Sequence, residues 1–359
     1  MTRLALEVSS AAGRGPLGGV GGTIRGVVGA LLADDPGTEY LLCTRLSRAR
    51  KGERWRPEAP NARLRLIADP WNGLLLAGAK LFHAMNVFVP TTPRVPKLVT
   101  IHDLNAVRNT EWVSEHWHER RGGKIADAVA RADHVVTYSE FTAGEVCEEY
   151  GLPRERVHPV HLGVDTARFQ PAAPETVAKL RERYGDYVIS IGLLSRRKNF
   201  PALVAALERL PELRLVLVGR GSDGERELEE SLDRHGLRAR TTRLAGLPED
   251  ELVALLGAAR ACAVPSLYEG FGLTVLEAMA CGTPLVCSRA ASLPEAAGDA
   301  ALLVDARQPE ELAHALLRVT HDSALAAELR ARGLARAQAM SWTASARKLR
   351  AVYRQVSGA

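Results

Sequence analysis

Ser266-Leu-Tyr-Glu-Gly-Phe-Gly-Leu-Thr-Val-Leu-Glu277, continued by Ala278-Met-Ala-Cys-Gly-Thr-Pro-Leu-Val286, sets a glycine-rich turn between two apolar runs, 261–264 and 284–287. The runs read as strands, and the segment after Gly272 reads as a helix. A strand, a glycine turn and a helix N-terminus together make an anion site, because unpaired N–H groups and the positive end of the helix dipole converge there. Two carboxylates flank that turn. Glu269 precedes it and can point at the strand ends, where acceptor oxygens suit hydroxyl groups. Glu277 falls inside the helix, roughly 8 Å along its axis. A phosphate between two polyols would engage the whole string. Glutamate in the first turns of a helix is also ordinary dipole complementation, so spacing alone does not decide the matter.

Working outward, the pattern around this string repeats along the chain. Short apolar runs alternate with amphipathic stretches throughout, the mark of parallel α/β layers. In the first half, strands are expected at 4–8, 40–44, 64–68, 81–85, 98–101 and 134–138, with helices at 23–33, 116–131 and 140–149. In the second half, strands are expected at 187–191, 213–218, 242–244, 261–264, 284–287 and 301–304. Helices there should cover 200–210, 225–235, 250–259, 273–280 and 310–320. Gly163-Val-Asp-Thr-Ala-Arg-Phe-Gln-Pro-Ala-Ala-Pro174 is rich in turn formers and reads as the connection between two copies of the pattern. The expected domains are 1–165 and 166–340, followed by a tail of two helices, 323–340 and 341–356.

The length of 359 residues suits two domains, and 46% hydrophobic with 25% charged residues is ordinary globular composition. No apolar run reaches the ~18 residues of a membrane span. The N-terminal residues read directly as a strand, so a cytoplasmic protein is expected. The five cysteines form no C-x-x-C pair and read as reduced and buried. Net charge is only +5, and no nucleic-acid partner is expected. Six Arg or Lys face one Glu between Arg45 and Arg56. That run is either a solvated loop or a peripheral contact with anionic head groups on the inner face of the membrane.

Three more groups stand where strands should end. Gly192-Leu-Leu-Ser-Arg-Arg-Lys-Asn199 places Arg197 and Lys198 side by side at a helix start, a forked and a point cation that together suit a diphosphate. Leu17-Gly-Gly-Val-Gly-Gly22 follows the first strand but lacks the acidic partner of a dinucleotide site, so it is weak by itself. Thr100-Ile-His-Asp-Leu104 puts His102 and Asp103 at a strand end. Val218-Gly-Arg-Gly221 is a further strand-end turn. No D-x-D triplet occurs.

The string from Ser266 onward, extended by Ser292-Leu-Pro-Glu-Ala-Ala-Gly-Asp-Ala-Ala-Leu-Leu-Val-Asp305, resembles the E-x7-E signature of retaining glycosyltransferases of family 4. The resemblance implies a glycosyltransferase B architecture: two Rossmann-like domains facing across a cleft, with the last helix, 341–359, returning to the N-terminal acceptor domain. It also implies transfer of a hexose from a nucleotide sugar, bound by the second domain, to an acceptor hydroxyl, with retention and without a metal. By the same resemblance Arg197 and Lys198 clamp the diphosphate, while Glu269 and His102 orient the sugar. Glu277 holds the ribose, and Gly270, Phe271, Gly272 and Leu273 form the phosphate turn. Gly19 and Gly21 allow backbone to approach the phosphate, and Gly219 lies near the base. No residue stands out as a covalent nucleophile, so front-face displacement is expected, the leaving phosphate taking the acceptor's proton. The wording of the Tyr268 and His161-Leu-Gly-Val-Asp165 segments is most similar to bacterial mannosyltransferases of polysaccharide biosynthesis using GDP-mannose. UDP-glucose or UDP-N-acetylglucosamine users share nearly all of it. A nucleotide-sugar 2-epimerase and a non-catalytic nucleotide-sugar-binding regulator are the remaining alternatives. The acceptor, a glycan, a lipid-linked sugar or a small molecule, would be chosen by the loops at 69–73 and 105–117, where Trp71, Trp112 and Trp117 could stack on sugars.

Overall fold

The computed structural model describes residues 2–12, 19–50, 55–68, 76–90, 95–112 and 115–358, the side chains of 115–117 excepted. The chain forms two compact units, Met1–Gly163 with Trp342–Ala359, and Val164–Ser341. Residues 13–18, 51–54 and 69–75 lie outside the description, and with them Leu17, Gly18, Trp71 and part of the basic run.

In the first unit, strands β1 (Thr2–Glu7), β2 (Thr38–Arg45), β3 (Ala62–Ile67), β4 (Phe82–Ala84), β5 (Lys97–Ile101), β6 (His134–Thr137) and β7 (Val157–Pro159) form one sheet in the order β3-β2-β1-β4-β5-β6-β7. Every described pair in it is parallel. Helices α1 (Gly19–Asp34), α2 (Leu46–Ala49), α3 (Asn105–Arg108), α4 (Glu115–Arg131) and α5 (Glu140–Tyr150) connect the strands. Period-two alternation assigns the two faces. Leu4, Leu6, Tyr40, Leu42, Leu98 and Val136 pack with α1, while Ala5, Leu41, Cys43, Val99 and Val135 pack with α4 and α5.

In the second unit, β8 (Tyr187–Ile191), β9 (Arg214–Val218), β10 (Thr241–Leu244), β11 (Ala261–Val264), β12 (Leu285–Ser288) and β13 (Leu302–Val304) form a parallel sheet in the order β10-β9-β8-β11-β12-β13. Its helices are α6 (Pro174–Tyr184), α7 (Phe200–Glu208), α8 (Glu225–Arg234), α9 (Glu249–Ala258), α10 (Leu273–Ala280), α11 (Leu293–Ala297), α12 (Pro309–His321) and α13 (Ser323–Ala339). Both sheets are doubly wound and reverse their strand order beside the first strand, the place where such sheets bind ligands.

The terminal helix α14 (Trp342–Ser357) packs on α1. Trp342 lies against Gly26, where any Cβ would overlap the indole. Arg350 reaches Asp34 Oδ2 at 2.8 Å, and Ser345 Oγ donates to the His161 carbonyl at 2.7 Å. Ala346, Leu349 and Tyr353 complete the core on that face.

Some expectations need correction. Helix α1 begins at Gly19 rather than Thr23, so Gly19 and Gly21 form its first turn instead of a free loop. Its Thr23 hydroxyl donates to the Gly19 carbonyl at 2.8 Å and fixes that turn. Helices α6 and α11 and strand β7 were not expected from periodicity. They are short or polar, and α6 is opened by Pro174 at its first position, where the missing N–H does no harm. Arg45 is not part of a solvated basic face. It lies 3.3 Å from the buried Glu7 carboxylate and stacks on Phe88.

Candidate functional site

Strands β8 and β11 are neighbours, so the loops that follow them emerge side by side. The loops are stitched together by backbone. Leu267 N donates to the Arg197 carbonyl at 2.8 Å, and below them Ser190 Oγ donates to the Ala263 carbonyl at 2.6 Å. This adjacency brings together residues some seventy positions apart. Lys198 Nζ lies 2.6 Å from Glu269 Oε1, and Arg197 Nη1 lies 2.7 Å from Oε2 and 3.0 Å from the Tyr268 carbonyl. Lys198 is only 8% exposed and the Glu269 side chain 12%. Burial by itself would raise the Glu269 carboxyl, but Arg197 and Lys198 outweigh it and hold the group down at about 2. The carboxylate is therefore ionised and already facing two cations.

Two serines hold it there. Ser266 Oγ donates to Glu269 Oε1 at 2.8 Å, and Ser292 Oγ donates to the Glu269 backbone carbonyl at 2.7 Å. Both are fully buried. Neither was singled out from sequence, although each opens one of the quoted strings, which was the signal to follow.

The glycines have steric reasons. Gly192 has φ +151°, and a Cβ there would stand 2.6 Å from Lys198 Cε. A Cβ on Gly219 would overlap the Gly192 carbonyl oxygen, so the β8 and β9 loops pack backbone to backbone. Gly272 has φ +107°, reachable without strain only by glycine, and caps α10 with no side-chain hydrogen bond. Phe271 is buried beneath the turn, and Leu273 is the first residue of the helix. About one turn in, Glu277 is half-buried and pushed up to about 7, first by burial and then by Glu249, with Lys198 opposing. The two glutamates of the motif thus titrate far apart, one always charged and one poised near neutrality.

A concavity of about 450 Å³ lies at the ends of β9 and β10, lined by Gly219, Arg220, Gly221, Arg243, Leu244 and Ala245. Arg243 is committed to Glu225 and Glu229. Arg220 is exposed at its rim.

Elsewhere, in the first unit, His102 follows β5 and gives its Nε2–H to the Met85 carbonyl at 3.0 Å. Burial pushes it down to about 4, so the ring is neutral and Nδ1 is its acceptor. Asp103 turns the loop by accepting from Asn105 N at 3.0 Å. Gly19 is exposed and Gly21 buried in the first turn of α1. Trp112 is half-buried in a short 3₁₀ turn. Among the described residues no three His, Cys, Asp or Glu side chains gather as metal ligands, and no helix is long and apolar enough to cross a membrane.

A doubly wound sheet with a cation pair and a helix N-terminus at its switch point suits an anionic ligand, and the chain carries a second sheet of the same class. Family models place it more narrowly. Residues 175–336 match the group described as glycosyl transferases group 1, and residues 28–168 match glycosyltransferase family 4. O-antigen chain mannosyltransferase B of Escherichia coli is 30% identical over 73% of this chain and 71% of its own length. Sucrose-phosphate synthase of Thermosynechococcus elongatus has the same fold, with a TM-score of 0.78 and 25% identity over 99% of both chains. HepE of Anabaena, crystallised with UDP and glucose, overlays with a TM-score of 0.72 at 19% identity, covering 99% of this chain and 100% of that one. The chain belongs to the family 4 glycosyltransferases, retaining enzymes that transfer a sugar from a nucleotide sugar.

Proposed function

We propose that the protein transfers a hexose from a nucleoside diphosphate to the hydroxyl of a glycan, lipid-linked or small-molecule acceptor, with mannose from GDP-mannose as the donor. The observation that carries this reading is the Arg197–Glu269–Lys198 cluster at the β8/β11 switch point. The charge that builds in the transition state sits on the departing diphosphate, and stabilising it is the largest lever such a site has. Arg197 and Lys198 are the cations for it, supported by the N-terminus of α10. As the diphosphate draws on their remaining N–H donors, the Glu269 oxygens become acceptors for sugar hydroxyls, and Glu277 takes the ribose diol. His102, by family resemblance, accepts a further sugar hydroxyl. Glu269 is engaged by the two cations at rest and by sugar hydroxyls once the donor is bound, so it is not offered to the anomeric carbon as a nucleophile. This favours front-face displacement, in which the C–O bond to phosphate breaks as the acceptor oxygen bonds the same face and passes its proton to the leaving phosphate. No divalent metal is needed where two fixed cations meet the charge.

One feature favours mannose and another favours guanine. A relative with 30% identity is named a mannosyltransferase. Arg220 stands at the rim of the β9/β10 concavity, and an arginine fork matches the adjacent O6 and N7 acceptors of guanine, a pair that uracil lacks. The test is calorimetry with GDP and UDP in EDTA, followed by slow hydrolysis of GDP-mannose without acceptor. GDP binding and mannose release support the reading. Binding of UDP alone would replace it with a UDP-glucose or UDP-N-acetylglucosamine enzyme, and binding of neither would remove the assignment of this cluster as the diphosphate site.

A further inference from the structure

His83, in the middle of β4, is fully buried and uses both ring nitrogens. Nδ1 meets the Tyr353 hydroxyl at 2.7 Å, and Nε2 meets Thr100 Oγ1 at 2.9 Å. Burial pushes this ring down to about 3, so it is neutral, with one donor and one acceptor. Tyr353 and Thr100 must therefore take opposite roles, and a change at one partner is felt at the other.

From His83 two short paths lead to the same neighbour. Along the first, Thr100 lies on β5 two residues before His102. The buried Tyr138 has its hydroxyl close to Thr100 without a hydrogen bond of ordinary geometry, and its ring meets the His102 ring edge-on at 70° with centroids 5.1 Å apart. Along the second, Met85 is two residues beyond His83, and its carbonyl is the acceptor that fixes His102 Nε2–H. A core histidine needs partners for its nitrogens but has no need of paths that converge on one ring.

We infer that Tyr353 of the terminal helix is a positioning residue which, through His83, Thr100, Tyr138 and the Met85 carbonyl, holds His102 with Nε2 protonated and Nδ1 open as an acceptor. The importance of that arrangement rests on the reading that His102 meets the donor sugar, but its test does not.

Full-length ¹⁵N-labelled protein, without donor, gives the tautomer of each histidine from long-range ¹H–¹⁵N imidazole correlations, with His102 assigned by its loss in His102→Gln. The wild type should show a single Nε2–H tautomer for His102. Tyr353→Phe removes one hydroxyl and should shift the His102 nitrogens toward values averaged between tautomers. Thr100→Val breaks the next link and should do the same, giving a second route to the answer if Tyr353→Phe folds poorly. Tyr40→Phe is the control, since it removes another buried hydroxyl of the same unit, one bonded to Asp35 at 3.0 Å, and should leave His102 unmoved. A mixed tautomer in the wild type, His102 signals unchanged in both test variants, or equal movement in Tyr40→Phe would overturn the inference. With the nucleotide sugar that the wild type hydrolyses, Tyr353→Phe should lower kcat about tenfold at constant KM. A wild type that hydrolyses no donor tells against the proposed donor and leaves the tautomer result standing.

Discussion

At the scale of single residues, the site is a charge balance with one carboxylate at its centre. Glu269→Ala and Lys198→Ala should each lower turnover by about two orders of magnitude, the loss typical of removing one group that meets developing charge. Near-normal turnover in both variants would sink the assignment. Stability should respond as well, with a sign set by the pKa. Glu269 is held at about 2, below its unfolded value, so its contribution is present above the ordinary carboxylate range and is lost as pH falls through 2. Urea unfolding of Glu269→Gln against wild type should show a gap on the order of 3 kcal/mol at neutral pH that closes in acid. Glu277 runs the other way. Pushed up to about 7, it favours the fold below the ordinary carboxylate range, and that contribution is lost as pH rises through 7. A ribose diol donates to an ionised carboxylate, so nucleotide affinity should rise up to about tenfold per pH unit on approaching 7 from below and level off above it. Glu277→Gln should flatten that profile; a profile unchanged in this variant would place the ribose elsewhere.

At the scale of elements, the cluster depends on how closely two strand-end loops approach. Gly219→Ala puts a methyl into the Gly192 carbonyl, backbone against backbone, so the β8 loop carrying Lys198 must move. Nucleotide binding should be lost together with several degrees of melting temperature. Gly236→Ala is the matched comparison: its φ of +64° makes a side chain mildly unfavourable, but nothing crowds the new methyl. That variant should lose about 1 kcal/mol of stability and keep its affinity. Equal loss of binding in the two would show that the backbone approach is not what shapes the site. The same elements show what could be read from the chain. Strands β8 and β11 were legible to the residue because Tyr187–Ile191 and Ala261–Val264 are apolar runs, buried almost throughout. Helix α6 was missed because its exposed faces are charged and only Tyr184 is buried, which leaves a weak period. Strand β7 was missed because His158 and Pro159 fill most of its three residues. Spacing showed the second glutamate on a helix, but the meeting of Lys198 with Glu269 follows from strand order, which no local pattern encodes. The start of α1 was misplaced because glycines read as loop, whereas here they form a first turn pinned by Thr23.

At the scale of the whole molecule, the last eighteen residues belong to the core of the first unit although they follow the second in sequence. Ala346, Leu349 and Tyr353 are buried among Leu4, Leu6, Ile24 and Val28, and Trp342 fills the space that Gly26 leaves on α1. Removing a buried leucine alone costs about 2–5 kcal/mol, and a truncation after Ser341 removes that leucine, two aromatic side chains and the Arg350–Asp34 pair together. Such a sum is comparable with the entire 5–15 kcal/mol that keeps a domain folded. The second unit has its own continuous core and does not draw on these residues. The truncated chain should therefore unfold in halves. Hydrogen exchange should find the amides of β1, β2 and α1 unprotected while those of β8, β9 and β11 stay slow, and Leu349→Ala should give a graded version, with faster exchange confined to the first unit. A truncated chain that kept slow exchange in β1 would show α14 to be an accessory to that core, and uniform loss across both sheets would show that the two units fold as one.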